Sequence, residues 1–205
     1  KDKKKELFYF LNIDEEKIPI DKEKLNLVIS NLYLHWSNDI VSTFSEIYRI
    51  LKADGLFLGS IFGNDTLKEL KYSVYTAENK ILKKVTPRVS PFIKMQDAGS
   101  LLQKSGFQLP VIDRDVIKIF FKDIYSLMKS IRGMGESNSL IERKKNFTQK
   151  KILDLANEIY LKNFSENNKI YATFEILYLT GWTKHSTQQK PLKPGSAKEK
   201  LEDFL

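Results

Sequence analysis

An α/β fold organised around a largely parallel sheet is predicted by three features of this 205-residue chain. Short apolar runs recur, the segments between them carry helical periodicity, and the links joining the two are short.

The run LNLVIS, residues 25–30, shows no sustained polar alternation, as expected of a strand covered by helices on both faces. It stops in Ser30-Asn31 and releases His35-Trp36 just ahead of a helix. From Ser37 the period changes: Ile40, Val41, Phe44, Ile47, Tyr48 and Leu51 share one helical face, Ser37 or Asn38 is placed to cap it, and Asp54-Gly55 ends it. LFLGSIF, 56–62, is the next strand and runs into the polar loop GNDT, 63–66; Leu67, Leu70, Val74, Ala77 and Ile81 then mark a second amphipathic helix. Strand, helix, strand and helix in this order form a βαβ unit with a right-handed crossover. Upstream, LFYFLNI, 7–13, is another run of strand length, ending at Asp14-Glu15 before a turn with Pro19.

Beyond a loop with Pro87 and Pro91, residues 95–105 read as a helix stopped by Gly106, and 107–121 as strand, broken at Pro110 and at Arg114-Asp115. Helices near 123–132 and 148–162 flank GMGESN, 133–138. IYATFEILYLTGW, 170–182, is rich in β-branched and aromatic residues and is expected to be an antiparallel strand closing the sheet edge. Residues 1–183 are expected to form part of one domain, and 184–205, basic and containing Pro191, Pro194 and Gly195, an extended tail.

Composition narrows the function classes. With no cysteine and only His35 and His185, disulfides and thiolate metal sites are excluded and no metal site is expected. The net charge of +8 comes from lysines interleaved with Glu and Asp, which reads as a solvated surface and not as a nucleic-acid interface. No apolar stretch approaches the roughly 20 residues of a transmembrane segment. The chain opens on Lys1, so the lack of a targeting segment excludes no compartment.

In open α/β sheets, ligands bind beyond the carboxyl ends of the strands. The candidates there are Asp14 and Glu15 after the first run, Ser30 and Asn31 after the second, and Asp65 in the loop after the third. Asp14 could accept hydrogen bonds from a nucleoside, or serve as a loop acid. His35 and Trp36 suit a pocket wall, or a packed helix entry. Asp65-Thr66 with Glu69 has the form of a capping box close to the cleft. Arg132, Glu136 and Asn138 form a polar cluster around Gly133 and Gly135, which provide either tight turns or close backbone approach to a ligand. No Ser-His-Asp arrangement, GxxxxGK loop or GxGxxG loop is present, and no catalytic residue is assigned.

The strings LVISNLYLHWSND, EIYRILKADGLFLGSIFGNDTLKEL, SPF at 90–92, SGF at 105–107, IRGMGESN at 131–138 and YLTGW at 178–182 together resemble the class I S-adenosylmethionine-dependent methyltransferase family, over about residues 14–196. Within it they resemble the branch shared by the biotin-pathway malonyl-carrier-protein methyltransferase and the mitochondrial complex I assembly factor five, with GNDTLKEL and RGMGESN nearer the assembly factor. The resemblance implies an incomplete Rossmann-like sheet: of the family's order 3-2-1-4-5-7-6, strands 3 to 7 are present, and strands 1 and 2, with the glycine-rich cofactor loop, lie upstream of Lys1. The run at 7–13, lacking its partner, is then expected either to pair with strand 4 or to be mobile. S-adenosylmethionine is the implied cofactor, with Asp14 and Glu15 at the tip of strand 3 near the adenine and Ser30-Asn31 at the tip of strand 4 near the methionine moiety. Asn26 departs from the Asp usual at the start of strand 4.

Two function classes follow from the resemblance. One is methyl transfer to a protein or carrier-bound substrate, chemistry that depends mainly on positioning. The other is an assembly-factor-like role, by arginine hydroxylation or partner binding on a respiratory complex I subunit, without methyl transfer. The implied compartment is a bacterial cytoplasm or a mitochondrial matrix.

Overall fold

The computed structural model describes residues 9–138, 140, 143 and 148–189. Strand β1 (Leu25–Asn31) leads through a 3₁₀ turn (Leu34–Trp36) into helix α1 (Ile40–Ile50), then β2 (Leu51–Phe62) and α2 (Lys68–Leu82). There follow α3 (Met95–Lys104), β3 (Gln108–Phe121), α4 (Ile124–Gly133), α5 (Lys150–Asn163), the two-residue β4 (Ser165–Glu166) and β5 (Lys169–Trp182).

The sheet order is β1-β2-β5-β3, with β4 paired to β5. β1 and β2 are parallel, joined by α1, whereas β5 is antiparallel to both β2 and β3. The late strand therefore does not close the sheet edge. Its fourteen residues pair along both sides, Leu58 to Thr180 on one and Val111 to Thr180 on the other, and β3 is the outer strand. β3 is also continuous through Arg114-Asp115; its irregularity lies between Gln108 and Val111, where Leu109 has φ 48° and Pro110 has no N–H to give to the ladder.

Of the run at 7–13, Leu7 and Phe8 lie outside the described residues, and 9–13 form no strand. Tyr9, Phe10 and Leu11 are exposed, and among the described residues β1 pairs with β2 alone, so residues 9–13 do not make the expected pairing to that strand. Without a neighbouring ladder, an apolar run has no backbone partners to make it a strand. Most of the basic tail, from Lys190 onward, lies outside the described residues; His185 to Gln188 form a turn.

Helix α1 starts at Ile40, where its apolar face begins, but its cap is not one of the two residues expected. The cap is Asp39, not Ser37 or Asn38: its carboxylate accepts from the amides of Val41 (3.0 Å) and Ser42 (3.2 Å). Ser42 and these amides hold the Asp39 carboxyl below its usual range. Leu51 is already extended, so Asp54-Gly55 falls inside β2 instead of ending the helix.

Two apolar layers enclose the sheet. Phe44, Ile47, Phe57, Ile61, Leu102, Phe107, Leu177 and Leu179 fill the side covered by α1 and α3. Leu70, Val74, Ile124, Leu127, Ile152, Ile170, Ala172 and Phe174 fill the side covered by α2, α4 and α5. The period-two alternation of β5 sends Ile170, Ala172 and Phe174 to one layer and Leu177 and Leu179 to the other. Each such side chain contributes on the order of 2 kcal/mol by leaving water.

The anticipated capping box is absent. No side chain caps α2, whose N-terminal flank is Leu67. The buried Glu69 carboxylate instead accepts from the amide (3.0 Å) and hydroxyl of Thr173 on β5. Thr66 bonds the backbone of Glu175 in both directions, at 3.0 Å each, and the Asp65 amide donates to Glu175 Oε2 at 2.7 Å. Polar groups that could have closed a local turn are used to pin the loop onto β5. Gly63 is required there, since a Cβ would lie 2.5 Å from Glu175 Oε2.

Candidate functional site

A cavity of about 360 Å³ opens beyond the carboxyl end of β1, bounded by the 3₁₀ turn, α2, the loop at 87–92, α4 and the residues that follow it. Its apolar wall comes from Leu67, Leu70, Val74, Phe92, Met128 and Ile131. Leu67, Leu70, Val74 and Ile131 belong to the buried layer on the α2 side of the sheet and Phe92 packs against it, so the cavity continues the core outward.

The 3₁₀ turn places His35 at the cavity rim, its ring packed against Trp36, Phe62 and Phe92 with centroids 5.6, 5.0 and 6.1 Å away. His35 Nε2 lies 2.9 Å from Glu136 Oε2, across 101 residues of sequence, and the His35 side chain is only 6 % exposed. A carboxylate at Nε2 favours the tautomer with its proton there and leaves Nδ1 as an acceptor. Nδ1 is buried and has no hydrogen-bond partner among the described residues.

Asn138 closes the neighbouring wall. Its Nδ2 donates to Pro87 O at 3.0 Å, and its Oδ1 accepts from the Leu140 amide at 3.1 Å. The segment after α4 is thus tied to the β1 tip through Glu136 and to the 87–92 loop through Asn138. Gly135, at φ 84°, makes the turn from α4 into this segment, and no atom lies within 4 Å of where a Cβ would stand at Gly133 or Gly135. Gly135 thus serves the chain's path, and close packing requires neither glycine.

Arg88, from the opposite wall, donates from Nη2 to Glu78 Oε1 (2.7 Å) and from Nη1 to Thr148 Oγ1 (3.0 Å); its Nε is buried with no partner among the described residues. Glu78 is fully buried and also accepts from the Thr86 amide and hydroxyl, each at 2.9 Å. Burial pushes the Glu78 carboxyl upward, but Arg88 and Thr86 outweigh it and hold the group below its usual range.

Of the sequence-predicted candidates, His35, Trp36, Arg132, Glu136 and Asn138 meet in this cavity. Asp14, Glu15, Ser30, Asn31 and Asp65 do not line it. Asp14 Oδ1 accepts from the Glu16 amide (2.9 Å) in an exposed turn, and Glu15 accepts from the Tyr33 hydroxyl (3.1 Å). Asp65 pairs with Lys68 at 3.2 Å. At the β1 tip, Asn31 Oδ1 accepts from Ser60 Oγ (2.7 Å), which accepts in turn from the Leu32 amide (3.0 Å). Ser30 Oγ is buried and has no hydrogen-bond partner among the described residues, an arrangement suited to a polar ligand group at the strand tip. Arg88, Phe92 and Thr148 escaped sequence reasoning; the SPF string and its flanking prolines were the available signal.

The methyltransferase-domain family matches residues 1–59. A mitochondrial arginine-hydroxylase NDUFAF5 from Dictyostelium discoideum is 44% identical over 197 residues, covering 95% of this chain and 45% of that protein. The human protein of the same name is 38% identical, covering 90% and 53%. A malonyl-[acyl-carrier protein] O-methyltransferase of Nitrosospira multiformis is 36% identical, covering 82% and 53%. In sequence and fold, the chain is similar to methyltransferase-family proteins. The chain spans about half the length of these curated relatives. In fold, it matches a Bacillus halodurans structure assigned as a methyltransferase with TM-score 0.55 at 18% identity, covering 86% of this chain and 78% of that one. Among the described residues, no helix of this chain is long and apolar enough to cross a membrane.

Proposed function

We propose that this chain supplies the acceptor pocket, and part of the cofactor cleft, of an S-adenosylmethionine-dependent transferase acting on a protein or carrier-bound substrate. The supporting observation is the cavity beyond the carboxyl end of β1, lined with apolar side chains and edged by the His35–Glu136 pair. The family's cofactor supplies an electrophilic methyl group on a sulfonium when bound. Ser30 and Asn31 are the residues of this chain proposed to hold it, with Ser30 Oγ offering an unused polar atom; Asp14 and Glu15 are proposed for its nucleoside end.

On the acceptor side, the apolar wall excludes water and orients an apolar stem. Arg132 presents a positive edge. His35, held by Glu136 and three aromatic rings, confines the acceptor from the β1 side. The Asn138–Pro87 bond sets the width of the opening.

A second reading draws on identity to the mitochondrial arginine-hydroxylases. In it the same cavity receives a protein side chain, the partner is a respiratory complex I subunit, methyl transfer does not occur, and the chain works in the mitochondrial matrix. In the first reading a bacterial cytoplasm suits equally, as for the carrier-protein methyltransferases.

The first experiment is calorimetric titration of S-adenosylhomocysteine into this chain and into a form extended upstream through a glycine-rich loop. Binding to the extended form alone supports a cofactor enzyme to which this chain contributes an incomplete cleft. Binding to neither overturns the cofactor assignment and leaves the partner-binding role.

A further inference from the structure

Among the described residues, five buried side-chain polar atoms have no hydrogen-bond partner, and two of them belong to residues that line the cavity, His35 and Arg88. Buried polar groups are almost always paired, because an unmade bond leaves the full desolvation of the group uncompensated. Two such atoms on the residues of one cavity mark what a ligand must bring.

Their roles are opposite. Glu136 takes the Nε2 proton of His35 at 2.9 Å, which leaves Nδ1 as an acceptor. Arg88 uses Nη1 on Thr148 and Nη2 on Glu78, which leaves Nε as a donor. The Arg88 charge is already matched by the buried Glu78 carboxylate, so this donor calls for no charged partner. Leu70, Val74, Met128 and Ile131 line the same cavity with carbon.

Most polar groups fail these conditions. A carboxylate or phosphate dianion only accepts, and would set a lone pair against Nδ1. An ammonium or guanidinium only donates, and would set a second cation against Arg88. A hydroxyl does both, but from a single oxygen, whereas His35 and Arg88 stand on opposite walls. A trans secondary amide carries its N–H and its C=O in opposite directions and has carbon at both ends.

We infer that the cavity binds a secondary amide within an apolar chain, its N–H donating to His35 Nδ1 and its carbonyl accepting from Arg88 Nε. The inference rests on the acceptor-pocket reading and narrows it: the part of the acceptor lodged here is uncharged. Such an amide belongs either to a polypeptide backbone or to an unbranched amide-linked arm, and the cavity of about 360 Å³ is within the size range of small-molecule sites.

Nitrogen-15 spectroscopy of the imidazole and guanidinium groups of this chain tests it, with N-propylbutanamide as the probe. His35 is one of two histidines, and H185Q assigns its signals. In the free chain the His35 ring is expected to be neutral with a bare Nδ1; a doubly protonated ring overturns the acceptor role. With the probe, His35 Nδ1 and the Arg88 Nε–H are both expected to shift. N-methyl-N-propylbutanamide, which lacks the N–H, is expected to move the Arg88 signal alone and to bind about tenfold more weakly. Equal binding of the two, or a probe that moves neither nitrogen, overturns the proposal. N-acetyl-leucine N-methylamide separates the sources: tighter binding than N-propylbutanamide supports a polypeptide, and weaker binding supports an unbranched arm. These titrations contain no S-adenosylhomocysteine, so a failure of the cofactor assignment leaves the amide result standing.

Discussion

Replacing Glu78 by alanine tests whether the buried pair behind the cavity wall holds the 86–92 loop. Glu78 is fully buried and Arg88 is 17% exposed, joined at 2.7 Å, with Thr86 contributing two further bonds to the same carboxylate. Removing one partner of a buried pair costs about 3–5 kcal/mol, because the other charge stays behind uncompensated. Arg88 keeps Thr148 and some solvent, which favours the lower end, whereas the Thr86 amide loses its acceptor, which adds about 1 kcal/mol. The expected loss for E78A is therefore about 4 kcal/mol. E78L/R88M, which removes both charges and refills the volume, should lie within about 1 kcal/mol of the parent. Urea unfolding followed by Trp36 and Trp182 emission measures both. Because the folded-state value of Glu78 lies below its ordinary 4.5, its contribution is complete above that pH and is lost as pH falls through the lowered folded value. E78Q should flatten that part of the acid profile. A cost for E78A under about 1 kcal/mol, or a double variant as damaged as E78A, would refute the reasoning.

Two further outcomes follow from the packing. The Tyr160 phenol is pushed far up by burial and then by the Glu69 charge, so its contribution is intact below an unfolded value near 10 and falls away as pH rises. Y160F should shallow the alkaline loss of stability, while costing about 1 kcal/mol at neutral pH for the bond its hydroxyl donates to Tyr171 O. At Gly181 a Cβ would lie 3.0 Å from the Phe107 ring, so G181A is expected to lower stability by about 1–3 kcal/mol, read from its urea midpoint.

Helices α1 to α5 were legible because each carries a face of apolar residues at helical spacing, information held within a dozen neighbours. Their starts were less so. Ser37, Asn38 and Asp39 are all competent caps, and the choice of Asp39 depends on where the 3₁₀ turn delivers the chain. The run at 7–13 shows the limit of the apolar signal, since strand character also needs a neighbouring ladder.

The site divides in the same way. His35-Trp36 and Arg132, Glu136 and Asn138 could each be picked out as unusual polar residues near turns, yet nothing local joins two stretches about a hundred residues apart. Asp65, Thr66 and Glu69 read as a cap because their spacing is right, and they serve β5 instead because Thr173 and Glu175 offer buried partners. Nothing local marked Arg88, which joins the site because α2 brings Glu78 beneath it. What this sequence determined alone was the βαβ pattern, the absence of thiolate chemistry and a family resemblance, all carried by local spacing and residue type. The tertiary structure decided which polar groups meet, because buried hydrogen bonds and ion pairs are set by partners distant in sequence whose solvation is known only once the layers close.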